Sequence, residues 1–144
     1  MMIEYKWFPA GVIDDSFRNL RIDIFVKEQG VPEENEFDDY DLQVPHLVIF
    51  SDNEPVATGR VIPYGENTVK IGRIAVKKSM RGTGLGEKIV LELLKKSKED
   101  GAKTVRVGAQ THAVGFYEKC GFKLLGTPEY LEENIPHYDM ILNF

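Results

Sequence analysis

The chain has 144 residues, of which 42% are hydrophobic and 28% are charged, with 13 glycines and a single cysteine. This length matches one average domain, and the apolar fraction excludes a disordered or collagen-like chain. We therefore expect one domain over residues 1–144.

The net charge of −5 disfavours nucleic-acid binding, because clustered Lys and Arg must neutralise the phosphate backbone. One cysteine cannot form an internal disulfide, which favours a reducing compartment. No apolar run approaches the ~20 residues of a membrane-spanning helix, and the first residues lack the pattern of a secretory signal. The sequence predicts a cytoplasmic protein that binds neither nucleic acid nor a membrane.

In chain order, the alternation over residues 2–8 predicts a first strand. A helix follows that starts at one of residues 14–16 and ends before Gly30. Its apolar stripe consists of Phe17, Leu20, Ile24 and Phe25. Residues 33–45 are predicted to be irregular, with one helical turn at most.

The second half begins with three strands of a meander, at 46–52, 55–64 and 68–76. A helix from Leu85 to about Gly101 follows, then a short strand at 104–108 and a short helix at 112–119. Two strands, at 122–125 and 137–144, close the chain around a polar loop. This order predicts an α/β fold whose mixed, mostly antiparallel sheet has six or seven strands flanked by helices.

Charge is unevenly distributed along the chain. Residues 33–41 carry six carboxylates and no base, whereas residues 77–81 carry three bases and no acid. Opposite patches on one small domain suggest a cationic ligand near the first and an anionic ligand near the second. Two solvated surface segments are the alternative, and composition alone leaves both interpretations open.

Three alternating glycines, at positions 82, 84 and 86, separate the strand at 68–76 from the long helix. Glycine permits positive φ and a close approach of ligand to backbone. The start of the helix adds unpaired N–H groups, and Arg81 adds a bidentate donor. The segment therefore predicts an anion site, and a diphosphate is the common occupant. Its spacing fits neither the Rossmann nor the P-loop pattern, and a tight turn without a ligand is the alternative.

Two blocks carry a resemblance to a known family. The segment Arg81-Gly82-Thr83-Gly84-Leu85-Gly86 resembles the R/Q-x-x-G-x-G/A acyl-CoA loop of the GNAT superfamily of N-acyltransferases, and FYEKCGF at 116–122 resembles its second block. The likeness covers residues 46 to 144. The N-terminal half, with FVKEQ at 25–29 followed by Pro32, is similar to a small bacterial branch with an FVxEQxxP signature.

The resemblance implies an N-acetyltransferase that uses acetyl-CoA as co-substrate. The acetyl group would pass to a primary amine of a small molecule or peptide by direct attack in a ternary complex. The strands at about 68–76 and 103–109 should splay apart to admit the coenzyme. The residues expected to bind coenzyme A are the backbone of Ile74, Ala75 and Val76, the loop Arg81–Gly86, Gln110 in place of a family Asn, and Phe116 and Lys119 near the adenosine.

Tyr117 is the predicted general acid for the departing thiolate, because a phenol of pKa ~10 keeps its proton at neutral pH. An aromatic residue packed in the core is the alternative interpretation. Many members of the family have a Glu that acts as the general base on the strand before the acyl-CoA loop, where this chain has Gly72 and Arg73. Glu28 is favoured as the base. The other candidates are Glu36, Asp38, Asp41, His46, His137 and a relay of water molecules.

Other chemistries are disfavoured. Three scattered histidines and unspaced carboxylates predict no metal site, and the lone Cys120 is interpreted as a small buried hydrophobe.

Residues 33–41 are expected to attract a cationic amine. Three alternatives stay open, namely an acyl-CoA sensor without robust turnover, an acyl-homoserine-lactone-type synthase and a protein acetyltransferase. Whether a homodimer forms also stays open.

Overall fold

A computed structural model describes residues 2–144 and places eight strands in one sheet. The strands are β1 (Ile3–Phe8), β2 (His46–Ser51), β3 (Glu54–Gly65), β4 (Thr68–Val76), β5 (Thr104–Gln110), β6 (Lys123–Leu124), β7 (Tyr130–Glu132) and β8 (Ile135–Asn143). The helices are α1 (Asp15–Arg21), continued by a π-helical segment (Ile22–Glu28), α2 (Glu33–Glu36), α3 (Leu85–Glu99) and α4 (Val114–Lys119). Short 3₁₀ turns lie at Asp39–Leu42, Lys78–Met80 and Thr111–Ala113.

The strand order is β1-β2-β3-β4-β5-β8-β6, with β7 beside β8, and only the β4–β5 pair is parallel. The predicted mixed, mostly antiparallel sheet flanked by helices is confirmed. The expected count of six or seven strands is too low, because β7 lies in the region assigned to a polar loop. Glu133 and Asn134 connect β7 to β8 with φ of 51° and 62°, as in a two-residue type I′ hairpin turn.

Helices cover both faces of the sheet. Leu47 and Ile49 of β2 pack in the cluster around α3, whereas Val48 between them packs against Phe17 of α1. Successive residues of a strand point to opposite faces, so α1 and α3 lie on opposite sides. The first helix ends at Glu28, before Gly30, as predicted. Within residues 2–144, every helix is too short or too polar to traverse a bilayer.

A bulge in β4 changes which residues face each layer. Thr58 of β3 pairs with Ala75 and Arg60 pairs with Gly72, so β4 has one residue more than β3 over this stretch. Arg73 takes up the extra length with φ of 51°. As a result Ala75 packs on Leu20 and Ile24 of the first helix.

The parallel pairing of β4 with β5 is short. It runs from Thr68 opposite Thr104 to Ile71 opposite Val107, after which both strands continue without pairing to each other. The predicted splay between these strands is therefore confirmed. The gap that it leaves opens toward the start of α3 and toward α4.

A buried ion cluster fixes the acidic segment to the rest of the protein. Arg21 donates to Glu36 at 2.8 Å and to Asp41 at 2.6 Å, and Arg60 donates to Asp41 at 2.7 Å. The side chains of these four residues are at most 4% exposed. Asp38 accepts two further hydrogen bonds from Arg60 and lies 3.5 Å from Arg73.

These ion pairs correct one expectation. Three of the six carboxylates in residues 33–41 are neutralised by arginines that are distant in sequence, so the segment is not a free acidic surface. The hydrogen bonds from Arg60 lower the pKa of Asp38 to about 2. Burial opposes ionisation of Asp41, but its hydrogen bonds to Arg21 and the nearby arginine charges hold its pKa below the usual value.

We predict that Asp41→Asn destabilises the fold by about 3–5 kcal/mol at pH 7. The buried guanidinium groups of Arg21 and Arg60 would then lose the carboxylate charge that they share. Asp39→Asn, in the same turn but exposed, is the matched control and should change stability little. The measurement is the free energy of unfolding in urea.

The pH dependence of this difference has a definite sign. The pKa of Asp41 is lower in the folded state, so its stabilisation is complete above the ordinary value of ~3.9 and is lost as pH falls through the folded value. The gap between wild type and Asp41→Asn should therefore narrow below pH ~4. A gap that is constant down to pH 2.5 would contradict this.

Candidate functional site

A cavity of about 920 Å³ lies where β4 and β5 part. Its walls are formed by the π-helical segment with α2, by the two separating strands, and by α4 with the β7–β8 hairpin. We call the part near Ile74–Val76, Arg81, Gly86 and Phe116 the loop side, and the part near Asn35, Glu132, Glu133 and His137 the hairpin side.

The loop side presents one free edge of β4. Ala75 and Val76 pair with Thr58 and Ala57 of β3, but no residue of β5 pairs with them. Their backbone, together with that of Ile74, lines the cavity. An extended ligand can add to such an edge as an extra strand, so the geometry agrees with the predicted pantetheine contact, which stays a prediction.

The glycine turn leaves the start of α3 open. Gly82 and Gly84 have φ of 79° and 86°, a conformation that disfavours other residues. Within residues 2–144, no side chain caps the amino end of α3, so its first N–H groups keep their capacity for an anion. Leu85 is a core residue that is 2% exposed, which leaves only its backbone for a ligand.

Of the predicted loop residues, Arg81 and Gly86 line the cavity, whereas Gly82, Thr83, Gly84 and Leu85 do not. Gly86 has a packing reason as well, since a Cβ there would lie 3.3 Å from the Phe116 ring. Phe116 thus packs close against the start of α3.

Arg81 forms an ion pair across the loop side. Its two terminal nitrogens donate to the carboxylate of Glu28 at 2.8 and 3.0 Å, and its Nε donates to the Val76 carbonyl at 3.2 Å. The guanidinium thus already holds an oxyanion in the bidentate geometry predicted for a phosphate. The hydrogen bond from Arg81 lowers the pKa of Glu28, which opposes its predicted role as base; that role stays a prediction.

Tyr117 lies in the cavity wall and is 8% exposed. Its ring makes edge-to-face contacts with Phe116 at 5.1 Å and Phe122 at 5.8 Å, so the core interpretation and the cavity position both hold. No hydrogen bond joins its hydroxyl to another residue of the described chain. Burial raises the pKa of Tyr117, which keeps the phenol protonated at neutral pH.

The remaining coenzyme candidates differ in position. Gln110 lines the cavity and donates to Gln29 at 3.0 Å, while its carbonyl oxygen lies 2.8 Å from His112 Nε2. Gln110 therefore bridges the end of β5 to the end of the first helix. Lys119 is exposed at the end of α4 and lies outside the cavity lining.

The hairpin side contains two carboxylates that were not predicted as site residues from the sequence. Glu132 and Glu133 lie at the tip of the β7–β8 hairpin and line the cavity, and Asn35 donates to Glu133 at 3.3 Å. This contact joins the hairpin to α2. The only local signal for the hairpin was the Glu133-Asn134 pair at a possible two-residue turn, and the polar residues around it obscured that signal.

The alternative bases occupy different environments. His46 is 1% exposed, stacks on Phe17 at 4.3 Å and has Nε2 2.9 Å from the Asp41 carbonyl, so it is a core residue away from the cavity. Asp38 and Asp41 belong to the ion cluster and lie outside the lining. Glu36 reaches the cavity, and burial raises its pKa although Arg21 and Arg73 oppose this.

His137 lies in the cavity wall with its side chain 8% exposed. Its Nδ1 is 2.6 Å from the Ile135 carbonyl, and its ring stacks on Tyr130 at 5.7 Å. The Tyr130 hydroxyl in turn donates to Asp139 at 2.8 Å. The ring is therefore held in one orientation by β7 and β8.

Metal and thiol chemistry find little support in the described chain. Over residues 2–144 no three His, Cys, Asp or Glu side chains lie close enough to hold a metal ion together. Cys120 is buried, and burial raises the pKa of its thiol. Both properties suit a packing role.

Comparison with known proteins identifies the family. The model of the acetyltransferase (GNAT) domain matches residues 17–144. The "uncharacterized N-acetyltransferase YjcF" of Bacillus subtilis is 39% identical over 125 residues, which are 85% of this chain and 86% of YjcF.

Solved structures share the fold. Escherichia coli ElaA is 28% identical and superposes with a TM-score of 0.87, covering 99% of this chain and 100% of ElaA. A Bacillus subtilis acetyltransferase in complex with CoA superposes with a TM-score of 0.76 at 21% identity, covering 99% of each chain. The chain, with its parted strands and open glycine turn, belongs to the GNAT acetyltransferase family.

Proposed function

We propose that this chain transfers an acetyl group from acetyl-CoA to a primary amine of a small molecule, by direct attack within a ternary complex. The observation that carries the proposal is the continuous cavity, which joins a free strand edge, Arg81 and Gly86 to a separate, carboxylate-bearing hairpin side. A donor and an acceptor can be held there at the same time. Orientation in such a site supplies much of the rate.

Acetyl-CoA suits the loop side. The pantetheine arm would add to the edge of β4 at Ile74–Val76, and its diphosphate would meet the N–H groups at the start of α3 and the Arg81 side chain. An N–H near Ala75 would polarise the thioester carbonyl. Phe116, Gln110 and Lys119 are proposed to contact the rest of the coenzyme.

The acceptor suits the hairpin side. Glu132 and Glu133 lie there without an arginine or lysine partner in the described chain, and the side chain of Glu132 is 57% exposed. Their charge favours an acceptor that carries an ammonium group. The contact of Asn35 with Glu133 joins the two walls on this side, which favours a small molecule over a long peptide.

During the reaction, the nitrogen of the acceptor's ammonium group loses two protons. The ammonium first loses one proton to a base; its lone pair then attacks the thioester carbon, and the carbon–sulfur bond breaks. The thiolate takes a proton from Tyr117, which regains one from the amide nitrogen as the tetrahedral intermediate collapses. The products are the N-acetyl compound, coenzyme A as a thiol and one proton in solvent.

The function is tested by calorimetry with acetyl-CoA and by thiol release from it in the presence of small amines, amino sugars and peptides. We expect saturable binding and thiol release with a class of small amines. Tight binding without release of thiol from any acceptor would favour an acyl-CoA sensor and overturn the proposal.

Arg81→Gln should weaken acetyl-CoA binding by about tenfold or more, because it removes charge-assisted hydrogen bonds to the diphosphate. Lys95→Gln, an exposed change on α3 outside the cavity lining, is the control and should leave binding unchanged. Equal affinity of the Arg81 variant and wild type in calorimetry would remove Arg81 from the coenzyme site.

Tyr117→Phe should lower kcat by about 10²-fold, because it removes the proton donor while keeping the ring. The affinity for acetyl-CoA should stay the same. Tyr138→Phe deletes a hydroxyl outside the cavity lining and should keep the wild-type rate. Steady-state thiol release measures both, and a wild-type kcat in Tyr117→Phe would disprove the assignment.

A further inference from the structure

In the described chain, the Nδ1 atom of His137 is hydrogen-bonded, whereas its Nε2 atom has no hydrogen-bond partner. A carbonyl oxygen only accepts hydrogen bonds, so the 2.6 Å contact with Ile135 places a proton on Nδ1. In the neutral ring Nε2 then carries a lone pair. Within residues 2–144, no donor is hydrogen-bonded to this atom, and the nearest charged oxygen is that of Glu132 at 3.7 Å.

The position of the ring relates it to the parted strands. His137 pairs directly with Gln110, three residues beyond the last β4–β5 pair. Side chains of directly paired residues lie on the same face of a sheet. His137 therefore lies on the face of Gln110, whose side chain reaches Gln29 at the end of the first helix, and both residues line the cavity.

We propose that His137 Nε2 is the base that takes the proton from the acceptor's ammonium group. This inference rests on the proposed acetyl transfer and names the residue that begins it. The proton moves from nitrogen to Nε2, and the freed lone pair attacks the thioester carbon. The resulting imidazolium keeps its Nδ1–H bond to Ile135, and its new Nε2–H faces the carboxylate of Glu132, which stabilises the positive charge.

The carboxylate candidates are poorer acceptors in this geometry. Both oxygens of Glu28 accept hydrogen bonds from Arg81, and one oxygen of Glu36 is shared by Arg21 and Arg73 at 2.8 and 3.2 Å. Glu36 would have to give up a cation before it could take a proton, and Glu28 lies beside Arg81 on the loop side of the cavity rather than on the hairpin side, where the acceptor is proposed to bind. The Nε2 atom of His137, by contrast, carries a lone pair and can take a proton without first giving up a cation.

The charged and titratable groups around the ring are few and come from each neighbouring element. They are Glu132 and Tyr130 of β7, Glu133 of the turn, Asp139 of β8, Arg106 of β5, His112 after β5 and Lys70 of β4. Because Arg106 lies 3.6 Å from Asp139, the carboxylates of this group without an arginine partner are those of Glu132 and Glu133, on the hairpin side of the cavity.

The first test reads the tautomer without any turnover. Long-range ¹⁵N–¹H correlation spectra of the imidazole rings in the full chain, with His137→Asn used to assign the signals, should show neutral His137 protonated on Nδ1. Protonation on Nε2 would overturn the proposal, because that nitrogen would then have no lone pair for the ammonium proton.

The second test separates proton transfer from structure. The amide of His137→Asn can still donate to the Ile135 carbonyl but offers no basic nitrogen. We expect kcat to fall by about 10²- to 10⁴-fold, with acetyl-CoA affinity and melting temperature kept, and partial rescue of His137→Ala by added imidazole. Glu132→Gln should lower kcat several-fold. The matched control Glu129→Gln, an exposed carboxylate outside the cavity lining, should not.

The outcomes separate this inference from the function beneath it. If wild type acetylates an amine and His137→Asn has the same kcat, or if only Glu28→Gln lowers kcat, then His137 is not the base, although the proposed acetyl transfer remains correct. If wild type binds acetyl-CoA and acetylates no amine, the proposed function fails and this inference fails with it.

Discussion

The site depends on the small number of residue pairs between β4 and β5. Four parallel pairs, ending at Ile71 and Val107, are enough to fix the two strands side by side, and beyond them both strands continue alone. The unpaired backbone would be costly if it were buried without partners. Here it lines a cavity instead. The bulge at Arg73 adds a second constraint, because it turns Ala75 toward the first helix while the β4 edge stays free.

The buried arginines explain how a polar segment can form a wall of this cavity. Arg21 lies on α1 and Arg60 on β3, so the carboxylates of Glu36 and Asp41 join a helix to the middle of the sheet. Burying such charges is favourable only when each is paired and hydrogen-bonded, and the cluster satisfies this condition over residues 36–41. It holds α2 where Asn35 reaches the β7–β8 hairpin.

The sequence predicts most elements because their signals are local. The stripe of α3, the meander and the glycine turn follow from spacing and from the needs of the backbone. The pairing of Arg21 and Arg60 with Glu36 and Asp41 does not, because it joins residues 15 to 20 positions apart and depends on tertiary contact. The glycine loop is recognisable from its motif because its signal is local. The hairpin side is formed by short segments from both halves of the chain, and His137 alone among its residues was a candidate from the sequence.

The ion pair between Arg81 and Glu28 does not close the loop side to an anion. Both side chains are more than a third exposed, and an exposed pair of this kind contributes only about 0–1 kcal/mol. In the proposed complex, a diphosphate would carry more charge than one carboxylate and would also meet the uncapped N–H groups of α3, so it would displace Glu28 from the guanidinium at small cost. In the proposed complex, the anionic donor and the cationic acceptor would occupy opposite sides of one cavity, where neither would compete with the other for its counter-charges.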